Sequence, residues 1–361
     1  ASGRADDMTA WVPRRRAAIK PRPSDRPVAP PPGTAQLAAM TRPPHPPPAP
    51  PQDLEVIPIP GTGPEDVLPE ADDGVLCGLA DGRILRRAPD GQIRELARTG
   101  GRPLGLDRLP DGRLLVCDAM RGLLAVDTTV EAPRPDVLCD NVDGAPIVLC
   151  NNAAVASDGS VWFTASSMRY GLADVVRDIV ENTRSGRLIR LAPDGRAEVA
   201  MTGLGFANGV AVLGGGEGER VLVAATAEAA IHMLWIDGPK HGTREVFAEG
   251  LPFLPDNLSV GSDGLVWAGG PSRAERSLVV IHRLPLPVRR AVAGIAKRLD
   301  AGARPVVGAM SFDRSGGMVH RIDTAHRGFQ NVTGARERDG TVWLGSLDSP
   351  AIARFTTPTT A

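Results

Sequence analysis

The chain has 361 residues, 42% of them hydrophobic and 23% charged, and a formal net charge of -1. That balance is globular and exerts no long-range pull on nucleic acid or on a membrane, so nucleic acid is excluded as a partner. No apolar run of about 18 residues is present, so no membrane span is expected. The N-terminus also lacks the apolar core of a secretion signal, which points to the cytoplasm or to a secreted form already trimmed.

Residues 1–53 contain Arg14-Arg-Arg16, Pro30-Pro-Pro32 and Pro46-Pro-Pro48. Proline cannot donate to a ladder, so this segment is expected to be an extended arm without chemistry. The alternative role is docking to a partner or joining two copies into a homo-oligomer. Residues 54–361 form the folded domain, beginning with Leu54-Glu-Val-Ile-Pro-Ile59, a strand expected to close it. Four cysteines, Cys77, Cys117, Cys139 and Cys150, are too few for a disulfide-built scaffold. They are expected to be reduced and buried, although Cys139 and Cys150 are near enough in sequence to bridge across a short loop.

The folded part repeats one phrase. Asp158-Gly-Ser-Val-Trp162, Asp263-Gly-Leu-Val-Trp267 and Asp339-Gly-Thr-Val-Trp343 each follow a short apolar segment, and weaker copies surround Asp73-Gly74, Asp111-Gly112 and Gly214-Gly-Gly216. Each copy reads as a hairpin whose turn glycine supplies a positive φ. Six units spaced roughly 40–60 residues apart match six four-stranded blades. The fold expected is therefore all-β, a six-bladed β-propeller whose innermost strands line a central channel. Two helical insertions interrupt it. Leu172, Val175, Val176, Ile179 and Val180 fall at helical spacing in blade three and form a candidate lid, and a helix over 288–299 in blade five carries a basic face.

Glu65, Asn151, Asn208 and Asp256 occupy matching places at the starts of the inner strands of blades one, three, four and five, so four oxygen-bearing side chains are expected to meet at one axial point. Two carboxylates and two amide carbonyls are hard donors, suited to Ca²⁺ and not to Zn²⁺, which asks for His or Cys. Asn152, one residue beyond a ligand, is placed to orient that ligand or a water. His320, late in blade five, is a candidate proton shuttle. Taken singly, each is also ordinary loop or core chemistry; the shared register supports the metal centre.

The phrases Gly63-Pro-Glu-Asp66, Ala207-Asn-Gly-Val-Ala211, Leu254-Pro-Asp-Asn257 and Thr341-Val-Trp-Leu-Gly-Ser-Leu-Asp-Ser-Pro350 resemble the strictosidine synthase-like group of the senescence marker protein 30/gluconolactonase superfamily of six-bladed propellers. The resemblance spans about residues 60–355. It implies a Ca²⁺-dependent hydrolase of lactones or aryl esters, with Glu65, Asn151, Asn208 and Asp256 as metal ligands. In that reading Asp256 activates water or attacks a small-molecule substrate directly. Strictosidine synthases proper use a glutamate at the mouth of blade six, where this chain has Thr333, so an amine–aldehyde condensation is not expected. Two alternatives stand beside the hydrolase: another metal-using lyase, isomerase or condensing enzyme on the same scaffold, and a non-catalytic propeller with a structural ion.

Overall fold

The computed structural model describes residues 45–51, 53–298 and 306–358. Most of the proline-rich arm lies outside the described residues. Its final stretch runs along the ring, with the Ala49 N–H donating to the Arg321 carbonyl at 2.9 Å.

Six four-stranded antiparallel sheets form the blades. Blades one to five are each a continuous meander, and blade six takes its outermost strand from the other end of the domain. The strand Glu55–Pro58 pairs antiparallel with Ala351–Thr356, with Ile57 opposite Ile352. This junction closes the ring and covers an edge that would otherwise be open to pairing with another chain.

The Asp-Gly turns connect the first and second strands of a blade. Gly159 and Gly264 adopt φ of 79° and 76°, a region glycine enters without the Cβ penalty. Beyond each turn the tryptophan anchors the second strand. Trp267 is fully buried and donates its indole N–H to Asp263 Oδ2 at 3.0 Å, so the turn aspartate and the core aromatic hold each other. Trp162 and Trp343 lie in the corresponding strands, Val161–Ala165 and Thr341–Ser346, and are also buried. The core consists of apolar layers between neighbouring blades. One such layer joins Leu115 and Cys117 of blade two to Phe163 and Ile189 of blade three.

Both helical insertions fall between the second and third strands of a blade, on the face where the inner strands begin. Blade three contributes α1 (Val175–Glu181), shorter than the stripe read from the sequence because Leu172–Asp174 is a 3₁₀ turn. Blade five contributes two helices where one was expected, α2 (Arg276–His282) and α3 (Leu286–Arg298). Pro285 and Pro287 follow α2 and set the start of α3, in keeping with proline's preference for a helix's first turn.

All four cysteines are buried free thiols. The Cys139 thiol donates to the Asn141 carbonyl at 3.3 Å and does not bridge to Cys150. Cys150 instead meets the thiol of Cys117 in the layer between blades two and three. Burial pushes the Cys77 thiol up to about 12, which makes it chemically inert at neutral pH.

Because Trp267 fills the blade-five layer, Trp267→Ala is expected to cost about 3–5 kcal/mol, the usual range for deleting a buried aromatic. The measurement is the urea unfolding midpoint at unchanged m-value.

Candidate metal centre

Four inner strands carry the same irregularity. In blade two the pairing jumps between Pro103 and Leu106, in blade three between Cys150 and Ala153, in blade four between Ala207 and Val210, and in blade six between Val332 and Ala335. Each jump inserts a bulge at a pair of residues: Leu104-Gly105, Asn151-Asn152, Asn208-Gly209 and Thr333-Gly334. In blades one and five the equivalent pairs, Glu65-Asp66 and Asp256-Asn257, directly precede the strands Val67–Pro69 and Leu258–Val260. A bulge re-aims side chains out of the ordinary alternation. Here it turns the first member of each pair into the channel mouth.

The second member alternates around the ring: Asp66, Gly105, Asn152, Gly209, Asn257, Gly334. The polar members reach forward to the next blade. Asp66 Oδ2 accepts the Leu106 N–H at 3.0 Å, and Asn152 Oδ1 accepts the Val210 N–H at 2.9 Å. The glycines let the following blade come close. A Cβ on Gly209 would stand 2.3 Å from the Asp256 carbonyl oxygen, a distance no side chain tolerates. The alternation therefore sets the spacing of the blades at the mouth, and with it the spacing of the donors.

Glu65, Asn151, Asn208 and Asp256 are all buried at this mouth. The amide nitrogens of the two asparagines are tied back to hydroxyls: Asn151 Nδ2 donates to Ser166 Oγ at 3.0 Å and Asn208 Nδ2 to Thr226 Oγ1 at 3.2 Å. That leaves the carbonyl ends, Asn151 Oδ1 and Asn208 Oδ1, without partners, together with Asp256 Oδ1. Buried oxygens without donors are costly and uncommon. Thr226 and Thr333 fix the backbone from below, donating to the Pro255 carbonyl at 2.7 Å and the Glu65 carbonyl at 2.6 Å.

The charges point the same way. Burial, followed by the nearby Asp256 and Asp66 carboxylates, pushes Glu65 well above the usual carboxylate range. Burial raises Asp256 to about 7, opposed by hydrogen bonds from the Asn208 side chain and the Asn257 backbone, with Asp66 adding to the rise. Arg102 is the cation that eases Glu65 at a distance, while its guanidinium donates to the Gly63 carbonyl at 2.9 Å and the Leu347 carbonyl at 3.3 Å. Two carboxylates and two unpartnered amide oxygens fit a hard divalent cation. They do not fit a metal that prefers nitrogen or sulfur; among the described residues no group of three or more His, Cys, Asp or Glu side chains that could hold a metal gathers at all, here or elsewhere, so the candidate set rests on two carboxylates with amide oxygens.

Three further placements bear on the expectations. Asn152 is fully buried beside Asn151; its carbonyl accepts the Val210 N–H and so ties it to the Asn208 strand, while its amide nitrogen has no partner. His320 is not brought to the centre. It lies in Met318–Thr324, the outermost strand of blade five, stacked on Trp267 at 5.8 Å between ring centroids. Residues missed by the sequence reading include Asn257, whose Nδ2 donates to Glu65 Oε2 at 3.0 Å while its Oδ1 has no partner. The alternation with glycine is the signal that marks it.

A family profile described as the SMP-30/Gluconolactonase/LRE-like region matches residues 72–290, and one described as strictosidine synthase-like, N-terminal, matches residues 52–87. The chain belongs to the SMP-30/gluconolactonase/LRE-like family. Among its relatives is the Arabidopsis thaliana protein strictosidine synthase-like 10, 30% identical over 81% of this chain and 85% of that one. The propeller is similar in fold to XC5397 of Xanthomonas campestris, described as a gluconolactonase. That structure has a TM-score of 0.60 at 18% identity, covering 88% of this chain and 99% of that one. It is also similar to a calcium-binding regucalcin from Agrobacterium tumefaciens, with a TM-score of 0.56 at 11% identity, covering 85% and 97%. In this SMP-30/gluconolactonase-like chain Thr333 stands at the mouth of blade six as expected, with its hydroxyl already committed to Glu65.

The raised carboxylates carry a stability signature. Asp256 moves from 3.8 to about 7, so its contribution to the stability of cation-free protein is present in full below 3.8 and is lost as pH rises through about 7. The urea midpoint of chelator-treated protein is expected to fall across that window, and Asp256→Asn is expected to flatten the fall.

Proposed function

We propose that this chain is a Ca²⁺-dependent hydrolase of lactones or aryl esters, with Glu65, Asn151, Asn208 and Asp256 holding the ion. The observation that carries the reading is the set of buried oxygens without donors, Asn151 Oδ1, Asn208 Oδ1 and Asp256 Oδ1, gathered beside the Glu65 carboxylate at one mouth of the channel. When bound, the cation supplies a Lewis acid that polarises the ester carbonyl and stabilises the charge developing on it.

The chain's own residues do the rest. Asp256 is the residue assigned to take a proton from water or to attack the carbonyl carbon. Burial raises that carboxyl to about 7 without a cation, and a bound cation would lower it, so in the loaded protein Asp256 would stand as the carboxylate a general base or nucleophile needs. Asn257 orients Glu65 through its amide, and Ser166 and Thr226 hold the two ligand amides with their oxygens inward. The blade-three insertion packs Leu172, Val175 and Ile179 against Leu104, Leu149 and Phe206 at the mouth, and the blade-five helices are fastened to it. Arg289 donates to the Asn182 carbonyl at 3.3 Å, Arg290 approaches Glu181 at 3.5 Å, and His282 donates to the Ile179 carbonyl at 2.8 Å.

A condensing role of the strictosidine synthase kind is disfavoured by the hydroxyl of Thr333, which supplies no carboxylate. Against a non-catalytic propeller, the test is Asp256→Asn. It is expected to lower hydrolysis of a panel of lactones and aryl esters by ~10²–10⁴-fold while far-UV circular dichroism is unchanged. Activity that survives the substitution, or is absent in both forms, counts against the reading. Chelation is expected to abolish turnover and Ca²⁺ to restore it, with Mg²⁺ a poor substitute because it demands a smaller octahedral shell.

A further inference from the structure

We propose that the helical roof is a docking face for an anionic lipid surface, which turns the channel mouth toward the membrane. This goes beyond the hydrolase reading and stands without it.

Half of the exposed large apolar side chains among the described residues belong to this roof: Val176, Val279, Val280, Leu284, Val288 and Ile295. The sequence of α2 is Arg-Ser-Leu-Val-Val-Ile-His, yet none of its residues is buried, with Val279 and Val280 55% and 58% exposed. In α3 only Ala293 is buried among the described side chains, while Ile295 is 56% exposed. Two more exposed apolar residues, Met120 and Leu347, sit in the loops between the second and third strands of blades two and six, on the same face.

Charge identifies the occupant. Residues 276–298 contain Arg276, Arg283, Arg289, Arg290, Lys297 and Arg298 and no Asp or Glu, in a chain whose formal net charge is -1. Arg289 and Arg290 partly serve to fasten α3 to α1, whereas Arg276 and Arg283 stand exposed beside the apolar positions. Basic residues interleaved with aliphatic ones on short helices are the composition of segments that lie in a lipid headgroup layer. None of the described helices is long and apolar enough to cross a bilayer, so the contact is one of lying on the surface.

The experiment is co-sedimentation of the full chain with phosphatidylserine–phosphatidylcholine vesicles and with pure phosphatidylcholine vesicles. Binding to the anionic vesicles at ~0.1 M salt is expected, with at least a tenfold loss on raising the salt to ~0.5 M, where screening is strong. The double variant Val280→Asp, Ile295→Asp changes exposed positions and is expected to keep its circular dichroism while losing at least tenfold in vesicle partitioning. Three results overturn the proposal: wild type that stays in the supernatant, binding that the double variant retains, or binding indifferent to lipid charge. If the double variant instead disperses a self-associated species in sedimentation velocity and vesicles bind neither form, the face is an interface between copies and the lipid proposal falls.

Discussion

Two buried carboxylates, Glu65 and Asp256, lie at one end of a closed ring, where burial makes both harder to ionise and the Asp256 charge adds to the cost for Glu65. Much of the architecture around the mouth holds that unfavourable arrangement in place. The ring is closed by the Glu55–Pro58 strand, so the inner strands cannot splay. The bulges of blades two, three, four and six and the equivalent pairs ahead of the inner strands in blades one and five bring one side chain per blade to the mouth, and the alternation of glycine with Asp or Asn sets how near neighbouring blades come. Hydroxyls of Ser166, Thr226 and Thr333 then hold the donors and their backbone without neutralising them.

The next layer of the channel shows what an answered charge looks like. Asp66 is fully buried, like its neighbour Glu65, but the Arg336 guanidinium meets it at 2.7 Å and also donates to the Leu106 carbonyl. Arg336 thus joins blade six to blades one and two with a cation the chain supplies itself. Breaking such a buried pair typically costs ~3–5 kcal/mol, because it strands the remaining charge. The contrast between adjacent positions is informative: Asp66 meets a cation of the chain at salt-bridge distance, and Glu65 and Asp256 do not.

The roof follows a different economy. Its helices are fastened to one another by Arg289, Arg290 and His282, and they bury little of their own apolar surface. A short helix in water draws most of its stability from packing. Here that packing is modest, and the apolar surface left over stands on the same face as Glu65, Asn151, Asn208 and Asp256. Composition over the whole chain hides this feature, because the near-neutral total averages a basic roof against acidic turns.

Much of the fold was legible in the residues. The Asp-Gly-x-Val-Trp phrase identifies the blades because a positive φ and a buried indole are local demands, met wherever the phrase occurs. Glu65, Asn151, Asn208 and Asp256 were readable as a set because their position relative to each turn is a matter of counting. His320 shows where counting fails: its place in blade five was clear, but a residue on an outermost strand is a blade's width from the channel, and sequence distance does not report that. By itself the sequence determined the number of blades, the ends of their hairpins and the equivalent inner-strand places of Glu65, Asn151, Asn208 and Asp256, since these follow from local turn chemistry repeated in register. Only the tertiary structure decided which amide atom faces inward, that Asp66 is matched by Arg336 while Glu65 and Asp256 are not, and that α2 buries none of its residues. Each of these depends on contacts between segments far apart in the chain, and no local pattern carries that information.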